Sequence, residues 1–97
     1  MRVIKKKTLI DYWKDKKDAE QPLRAWYHEA KMAMWTKPND IKELYKHASI
    51  LKNSRVVFNI AGNKYRLVAM IKYKPPIVYI RFVGTHKEYD KIDANTI

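Results

Sequence analysis

Near the end of the sequence, five of six consecutive residues have side chains that could move protons or hold charge. They follow soon after the apolar run "IVYIRFV" and read "THKEYD", from Thr85 to Asp90. A neutral histidine or a tyrosine can move protons near physiological pH, and a lysine can stabilise developing negative charge. A polar turn that ends a strand has much the same composition. The rest of the sequence has to separate a reactive cluster from a strand terminator.

The charge of the chain points to a polyanionic partner. The formal net charge is +11, and no Asp or Glu occurs between Leu44 and Lys87, where nine Lys or Arg occur. Such a field attracts phosphate polymers or acidic protein surfaces. Solubility alone does not require that every carboxylate be excluded from so long a segment, so we favour a phosphate-facing surface over a merely solvated one.

Length and composition predict a single folded domain over residues 1–97. The sequence is 46% hydrophobic with twelve aromatic residues and no cysteine, which excludes a disordered chain, a disulfide framework and thiolate chemistry. No apolar run approaches the roughly 20 residues of a membrane helix, and no signal-peptide core is present. We therefore expect a soluble, cytoplasmic protein that does not enter membranes.

Hydrophobic periodicity divides the chain into a helical first half and a stranded second half. Val3 and Ile4 predict a short edge strand, and helical spacing follows in "LIDYWKDKKDAE", "AEQPLRAWYHEAKMAMW" and "TKPNDIKELYKHA". The period then changes to two in "SRVVFNI", "KYRLVAMIKY" and "IVYIRFV". The prediction is an α+β domain of order β-α-α-(α)-β-β-β, with the N-terminal helices packed on one face of a small antiparallel sheet.

The two hairpin turns predict which residues face each other across the strands. A first turn centred on Gly62 would put Arg66 opposite Phe58, and a second centred on Pro75 would put Arg66 opposite Gly84. Gly84 directly precedes the "THKEYD" segment. We therefore expect Arg66 and His86 to lie within side-chain reach of each other.

Several kinds of catalysis are poorly supported by the sequence. His28, His47 and His86 are scattered and there is no HExxH motif, so no metal site is predicted. Ser49 and Ser54 lack the context of a nucleophile elbow, and two glycines are too few for a phosphate-cradling loop. Chemistry on a phosphodiester without metal or cofactor remains.

Cleaving RNA in this way requires a group that takes the 2′-OH proton, cations for the phosphorane, and a proton for the 5′-oxygen. The predicted catalytic residues are Arg66, His86, Lys87 and Tyr89. Further basic residues are predicted to contact RNA phosphate, namely Lys52, Arg55, Lys64 and Arg81.

Each candidate also has an ordinary structural interpretation. His86 can cap a helix, Tyr89 can be a core aromatic, and Arg81 can lie on the solvent face of its strand. Lys52 and Lys64 can simply be solvated. Glu88 and Asp90 are interpreted as helix-forming, solvent-facing residues rather than as acid/base catalysts.

The strand motifs resemble those of a known family. The runs "RVVFNIAGNKYRLVAMI" and "VYIRFVGTHKEYDKIDANTI", together with "TKPNDIK", resemble the HigB toxins of type II toxin–antitoxin modules, within the RelE-like superfamily of mRNA interferases. The resemblance extends over residues 1–97. It implies a RelE-like fold and cleavage of mRNA in the ribosomal A site without metal.

The resemblance also implies partners and residue roles. The partner would be a HigA-type helix-turn-helix antitoxin, through which alone the toxin would meet operator DNA. Arg66 in "NKYRLV" matches the strand arginine that acts on the scissile phosphate, and His86 matches the position of an arginine or histidine after the last strand. Lys87 would stabilise charge, whereas the position of Tyr89 differs from that of the C-terminal tyrosine of RelE.

Two other classes of function stay open at this point. A non-catalytic RNA-binding module would need only the basic charge, and a protein-interaction domain could use its basic face to bind an acidic antitoxin.

Overall fold

The chain folds into five strands and four α-helices, which the computed structural model describes for all of residues 1–97. The strands are β1 Arg2–Ile4, β2 Ser49–Ile50, β3 Arg55–Ile60, β4 Tyr65–Tyr73 and β5 Pro76–Thr85. The helices are α1 Lys6–Asp15, α2 Glu20–Met32, α3 Pro38–Leu44 and α4 His86–Tyr89, with a 3-10 turn at Lys17–Ala19 before α2.

The strands form one sheet in the order β1-β5-β4-β3-β2. Strands β2 to β5 are antiparallel neighbours, whereas β1 runs parallel to β5, so the sheet is mixed. The predicted α+β class is confirmed, and the architecture is consistent with a RelE-like fold. The parallel pairing of β1 was not anticipated, because nearly the whole chain separates β1 from β5 and no turn signals their pairing.

One face of the sheet carries the main core. Buried side chains of α1, α2 and the α2–α3 connection pack there against alternate residues of the strands. Trp26 of α2 meets Phe58 of β3 edge to face, with ring centroids 5.3 Å apart, and Trp35 lies stacked on the same ring. Burial of such large apolar side chains stabilises each by roughly 1.5–3 kcal/mol. The expected helix layer on one face is therefore present.

The opposite face of the sheet is only partly covered. Val57 and Val68 are buried there beneath Ala94, in the segment that follows α4. Towards the β3–β4 turn this cover ends, and Asn59 and Arg66 are half-buried. A partly open patch is thus left at one end of an otherwise protected sheet.

Arg66 lies opposite Gly84 as predicted, but neither turn is centred where the sequence placed it. The second turn is centred between Lys74 and Pro75 rather than on Pro75, and the bulge between Val68 and Ala69 restores the pairing of Arg66 with Gly84. Across the first hairpin Arg66 faces Asn59, not Phe58, because the loop Ala61–Lys64 is centred between Gly62 and Asn63. Residues directly opposite share a face. Arg66 therefore shares the open face with Asn59, while Phe58 stays in the core.

Gly84 is required by a close approach between β5 and α4. A Cβ atom at this position would lie 2.6 Å from Phe82 Cζ and 3.0 Å from both Glu88 Cβ and Glu88 Oε1. Real Cβ atoms do not tolerate the first of these distances, so an alanine would displace its neighbours. The absence of a side chain at Gly84 thus allows α4 to fold back against the strand.

We expect Gly84→Ala to destabilise the protein by about 1–3 kcal/mol through this overpacking and to displace α4. Urea denaturation measures the first effect, and the amide NMR signals of Thr85 and Glu88 report the second. Gly62→Ala is the comparison, since a Cβ there meets nothing within 4 Å and only the φ of +68° opposes it. That variant should lose about 1–2 kcal/mol and leave the two amide signals in place. A Gly84→Ala protein with wild-type stability and unshifted signals would contradict the packing argument.

Candidate nucleic-acid cleavage site

Arg66 and His86 meet at the open end of the sheet. Arg66 lies on β4, His86 is the first residue of α4, and Arg66 Nη2 is 2.8 Å from His86 Nε2. Both side chains are half-buried. The contact follows from the β4–β5 register, because β5 runs only one residue beyond Gly84 before α4 begins.

The same imidazole nitrogen also contacts the first hairpin loop. His86 Nε2 lies 3.1 Å from Asn63 Oδ1. A guanidinium only donates, so the Arg66 contact uses the Nε2 lone pair, whereas the Asn63 oxygen requires an Nε2 proton. Which of the two contacts is a hydrogen bond depends on whether Nε2 carries a proton, and the imidazole lies within reach of both groups.

The Arg66 guanidinium is held in place while most of its donors stay available. It lies over the ring of Tyr89, 4.8 Å from the ring centroid, in a cation–π contact. Its Nε is buried and has no hydrogen-bond partner within the protein. A guanidinium has five N–H donors in a fork that fits phosphate oxygens. Nη1 makes no hydrogen bond within the protein, so it retains donors that a phosphate could accept from, whereas the buried Nε is closed to a ligand.

A capping box holds the start of α4. The Thr85 hydroxyl accepts from the main-chain N–H of Glu88, and Glu88 Oε1 accepts from the main-chain N–H of Thr85 at 2.7 Å. The reciprocal bonds satisfy two donors that a helix start leaves free. His86 lies between these residues, so its backbone is placed by the cap.

The cap is in turn tied to the helix layer. Tyr12 of α1 donates its hydroxyl to Glu88 Oε1 at 3.1 Å. The pKa of Glu88 is held below its usual range, mainly by the Thr85 N–H bond and further by Tyr12. Burial and the bond to Glu88 raise the pKa of Tyr12. We call the Tyr12–Glu88–Thr85 group the α4 brace.

A second set of contacts, made by Tyr65 and Asp18, holds the Tyr12 ring in place. Its ring meets that of Tyr65 edge to face at 5.7 Å, and Tyr65 donates its hydroxyl to Asp18. Asp18 also pairs with Lys64, which lowers the pKa of Asp18 and raises that of Lys64. Lys64, one of the predicted phosphate contacts, is therefore bound to a carboxylate in this structure.

Arg66 and Lys87 have no carboxylate partner. The three ion pairs of the structure are Lys7–Asp11, Arg24–Glu20 and Lys64–Asp18, and all their carboxylates come from the first 43 residues. Lys87 is exposed on the same turn as His86 and takes part in none of them. Glu88, the nearest acid in sequence, is committed to the cap. Positive charge at the site is thus left unneutralised within the protein.

Of the predicted catalytic residues, Arg66, His86 and Tyr89 are brought into contact, with Lys87 beside them. The predicted phosphate contacts are spread more widely. Arg81 is exposed where the β4–β5 pairing shifts register between Val68 and Ala69. Lys52 is exposed in the β2–β3 loop, about 13 Å or more along β3 from the position opposite Arg66.

Arg55 has a structural engagement that the sequence did not indicate. Its Nε and Nη2 donate to the main-chain oxygen of Ile97 at 3.1 and 2.5 Å, and its Nη1 donates to that of Asn53. Its guanidinium is therefore used to hold the segment that covers Val57 and Val68.

Sequence reasoning did not identify two residues at the site, Asn63 and Tyr12. Neither residue is among the candidates that the sequence predicts. The Thr85-x-x-Glu88 spacing is a sequence signature of a capping box and could have revealed the cap. No local sequence pattern predicts the hydrogen bond from Tyr12 to Glu88, since 76 positions separate them.

The structure contains neither a metal-binding cluster nor a membrane-spanning helix. No group of three or more His, Cys, Asp or Glu is arranged to hold a metal ion. None of the helices has the length and apolar character needed to cross a membrane.

The family model and the known proteins that resemble this chain all point to one family. Residues 19–92 match the HigB_toxin family, described as the RelE-like toxic component of a toxin-antitoxin system. The chain is 33% identical over 96 residues to the mRNA interferase toxin HigB of Escherichia coli K12, covering 97% of this chain and 92% of that protein. The mRNA interferases HigB of Escherichia coli O157:H7 and Shigella flexneri match to the same extent. Together with the fold and the Arg66–His86 site, these matches show that the chain belongs to the HigB family of RelE-like toxins of toxin–antitoxin systems.

Proposed function

We propose that this toxin is a metal-independent endoribonuclease that cleaves mRNA in the ribosomal A site and so inhibits translation. The observation that carries the proposal is the 2.8 Å contact between Arg66 Nη2 and His86 Nε2, at a place where neither Arg66 nor Lys87 is in an ion pair. Relatives over nearly the full chain are named mRNA interferases, which supports the same activity.

In the proposed reaction the scissile phosphate binds the free donors of Arg66. His86 takes the proton from the 2′-OH, whose oxygen then attacks phosphorus. The 5′-oxygen leaves as the P–O bond breaks and receives a proton, which gives a 2′,3′-cyclic phosphate and a 5′-OH. Arg66 and Lys87 stabilise the doubly charged phosphorane, which water alone stabilises less well.

Tyr89 has two possible contributions in this scheme. Its ring supports the guanidinium of Arg66, and its hydroxyl would serve as a second proton carrier in the reaction. Which group protonates the leaving oxygen, His86 or Tyr89, is decided by the position of the substrate. We assign the ring contact as its first role, since that contact is present without RNA.

The predicted phosphate contacts divide by their existing partners. Arg81 and Lys52 are exposed and take part in no ion pair, so we retain them as contacts to mRNA or rRNA phosphate. Lys64 and Arg55 are engaged with Asp18 and Ile97, so they would bind RNA only by exchanging those contacts.

Membership of a toxin–antitoxin family implies an antitoxin partner. We propose that this partner is a HigA-type helix-turn-helix protein, and that operator DNA is reached only through it. A ribosome-bound substrate would place the toxin's action in the cytoplasm.

A non-catalytic RNA-binding module is the competing function, because the +11 charge would suffice for it. It requires neither the paired Arg66 and His86 nor the free donors of Arg66. The variants below separate the two functions, since a binding module would lose affinity in proportion to charge and would cut nothing.

Replacing Arg66 by alanine should abolish toxicity, with a loss of about 10²–10³-fold in cleavage rate because the phosphorane loses its main cation. Growth after induction and primer extension on mRNA from translating ribosomes measure the two effects. The matched control is Lys72→Ala, which removes an exposed positive charge farther along the same strand. Cleavage that persists in Arg66→Ala, or falls equally in Lys72→Ala, would argue against the proposed site.

Replacing His86 by alanine should reduce cleavage by about 10²–10⁴-fold, because the proton-transfer group is removed. Added imidazole should restore part of the rate in this variant and leave the rate of Arg66→Ala unchanged. Single-turnover cleavage on programmed ribosomes, with and without imidazole, measures the rescue. A variant as active as wild type would remove His86 from the mechanism.

Replacing Tyr12 by phenylalanine should weaken the α4 brace without touching substrate, and should lower kcat a few-fold with little change in KM. It should also make α4 more sensitive to acid. A carboxylate whose pKa is depressed in the folded state stabilises that state above its usual pKa, and the stabilisation is lost as pH falls. Without the Tyr12 bond the pKa of Glu88 rises towards its ordinary value of 4.5, so the loss begins at higher pH.

NMR titration of the Glu88 carboxyl and of the Thr85 amide between about pH 3 and 6 follows this change directly. Tyr27→Phe, a half-buried tyrosine of α2 outside the brace, is the control. Identical titration curves in wild type and Tyr12→Phe would show that Tyr12 does not act through Glu88.

A further inference from the structure

The loop that joins β3 to β4, Ala61–Lys64, reaches the imidazole of His86 through one side chain. Asn63 Oδ1 lies 3.1 Å from His86 Nε2, the nitrogen that also lies 2.8 Å from Arg66 Nη2. None of the roles assigned above uses Asn63. The loop can therefore influence the ring to which the proposed reaction assigns a proton transfer.

The two neighbours of His86 Nε2 respond in opposite ways to a proton on that nitrogen. The Arg66 guanidinium only donates and suits the bare lone pair, whereas the Asn63 oxygen accepts and suits the N–H. Once His86 has taken the proton of the 2′-OH, the imidazolium and the guanidinium are like charges in contact, which is unfavourable. Asn63 Oδ1 is the acceptor that the protein offers to this N–H.

The conformation of the loop does not explain why residue 63 is an asparagine. The left-handed backbone positions are Ala61 and Gly62, with φ of +55° and +68°, and Asn63 is not among them. The turn is closed by the main-chain N–H of Lys64, which donates to the main-chain oxygen of Ala61 at 3.3 Å. The Asn63 side chain is exposed, and its one hydrogen-bond contact is with His86. The side chain is thus available for a role at the site.

The end of the loop is anchored to the helix layer by Asp18. Lys64 and Tyr65, the two residues after Asn63, both donate to the Asp18 carboxylate. Tyr65 is 2% exposed and Ala19, which follows Asp18, is fully buried, so both sides of the anchor are fixed in the core. Exposed ion pairs such as Lys64–Asp18 contribute little to stability. The structural effect of this group is instead to hold the loop beside His86.

We propose that Asn63 and Asp18 are positioning residues for His86, with Asn63 accepting from the protonated ring and Asp18 holding the loop that carries Asn63. The inference rests on the proposed ribonuclease function and adds two residues that act through His86. The proton taken from the 2′-OH stays on Nε2 and is donated to Asn63 Oδ1 until His86 passes it to the leaving 5′-oxygen or to water.

Replacing Asn63 by leucine, which has nearly the same shape, should lower kcat about tenfold with little change in KM, since a hydrogen bond to a charged group is lost. Asn63→Asp keeps an acceptor on a side chain of the same length, so it should keep most of kcat. Its negative charge should raise KM by repelling phosphate. Cleavage on programmed ribosomes over a range of ribosome concentrations separates the two constants.

A double variant tests whether Asn63 acts through His86. Asn63→Leu should cause no further loss of rate in a protein that already carries His86→Ala. A further loss in that protein would overturn the proposal. So would an Asn63→Leu protein with wild-type kcat that differs only in the codons it cuts, because Asn63 would then contact the RNA rather than position His86.

Replacing Asp18 by alanine should lower kcat by about two- to fivefold, the scale of an exposed ion pair, and should add nothing to Asn63→Leu. KM should not rise, since Lys64 is freed for RNA phosphate. The matched control is Asp11→Ala, which removes the exposed Lys7–Asp11 pair of α1 and the same charge. Its kcat should equal that of wild type. Equal kcat values in Asp18→Ala and Asp11→Ala would reject the anchor.

NMR of the protein without RNA separates this proposal from the ribonuclease itself. The His86 ring signals should shift in Asn63→Leu and in Asp18→Ala but not in Asp11→Ala. Cleavage that depends on His86, with no shift of its ring signals in the first two variants, would support the nuclease and reject the positioning roles. Shifted ring signals alongside a wild-type protein that cleaves no mRNA would reject the nuclease and support the contact.

Discussion

The close contact between Gly84 and Glu88 determines where the reactive side chains of this protein lie. A Cβ at Gly84 would lie 2.6 Å from Phe82 Cζ and 3.0 Å from Glu88, so any other residue would press on both where the chain turns back against the strand. The turn brings Glu88 close enough to cap its own helix and to accept from Tyr12. His86 is placed over Arg66 as a result. The proposed chemistry thus depends on a packing contact between two residues that take no part in it.

The sheet also has to keep a charged residue on a face that is otherwise buried. Arg66 follows the same face as Val57 and Val68, where a guanidinium is costly unless it is paired or hydrogen-bonded. Its contacts with His86 and the Tyr89 ring offset part of that cost, yet its Nε stays without a partner. Natural folds accept such local conflicts mainly at functional sites.

Much of this arrangement was accessible from sequence because it depends on local signals. The prolines located the second turn to within one residue and alternation defined the strands, but the bulge between Val68 and Ala69 that pairs Arg66 with Gly84 has no local signal. The first turn was harder, since "AGN" allows loops of different length, and one residue of difference exchanges Phe58 for Asn59 opposite Arg66. The Tyr12–Glu88 bond and the engagement of Arg55 with Ile97 join distant segments through packing. No local pattern encodes contacts of that kind.

The distribution of carboxylates explains why a site of this shape suits phosphate. Acidic residues of the first half neutralise Lys7, Arg24 and Lys64, and Glu88 is bound to main-chain and tyrosine donors. The open end of the sheet is left with Arg66 and Lys87 and with no anion of the protein to satisfy them. In a partly buried setting such a cation gains more from an incoming anion than it would in water. The counter-ion that the fold omits is the one that a phosphodiester would supply, and in the proposed reaction its 2′-OH would lie beside His86, whose Nε2 is within hydrogen-bond distance of Arg66 and Asn63.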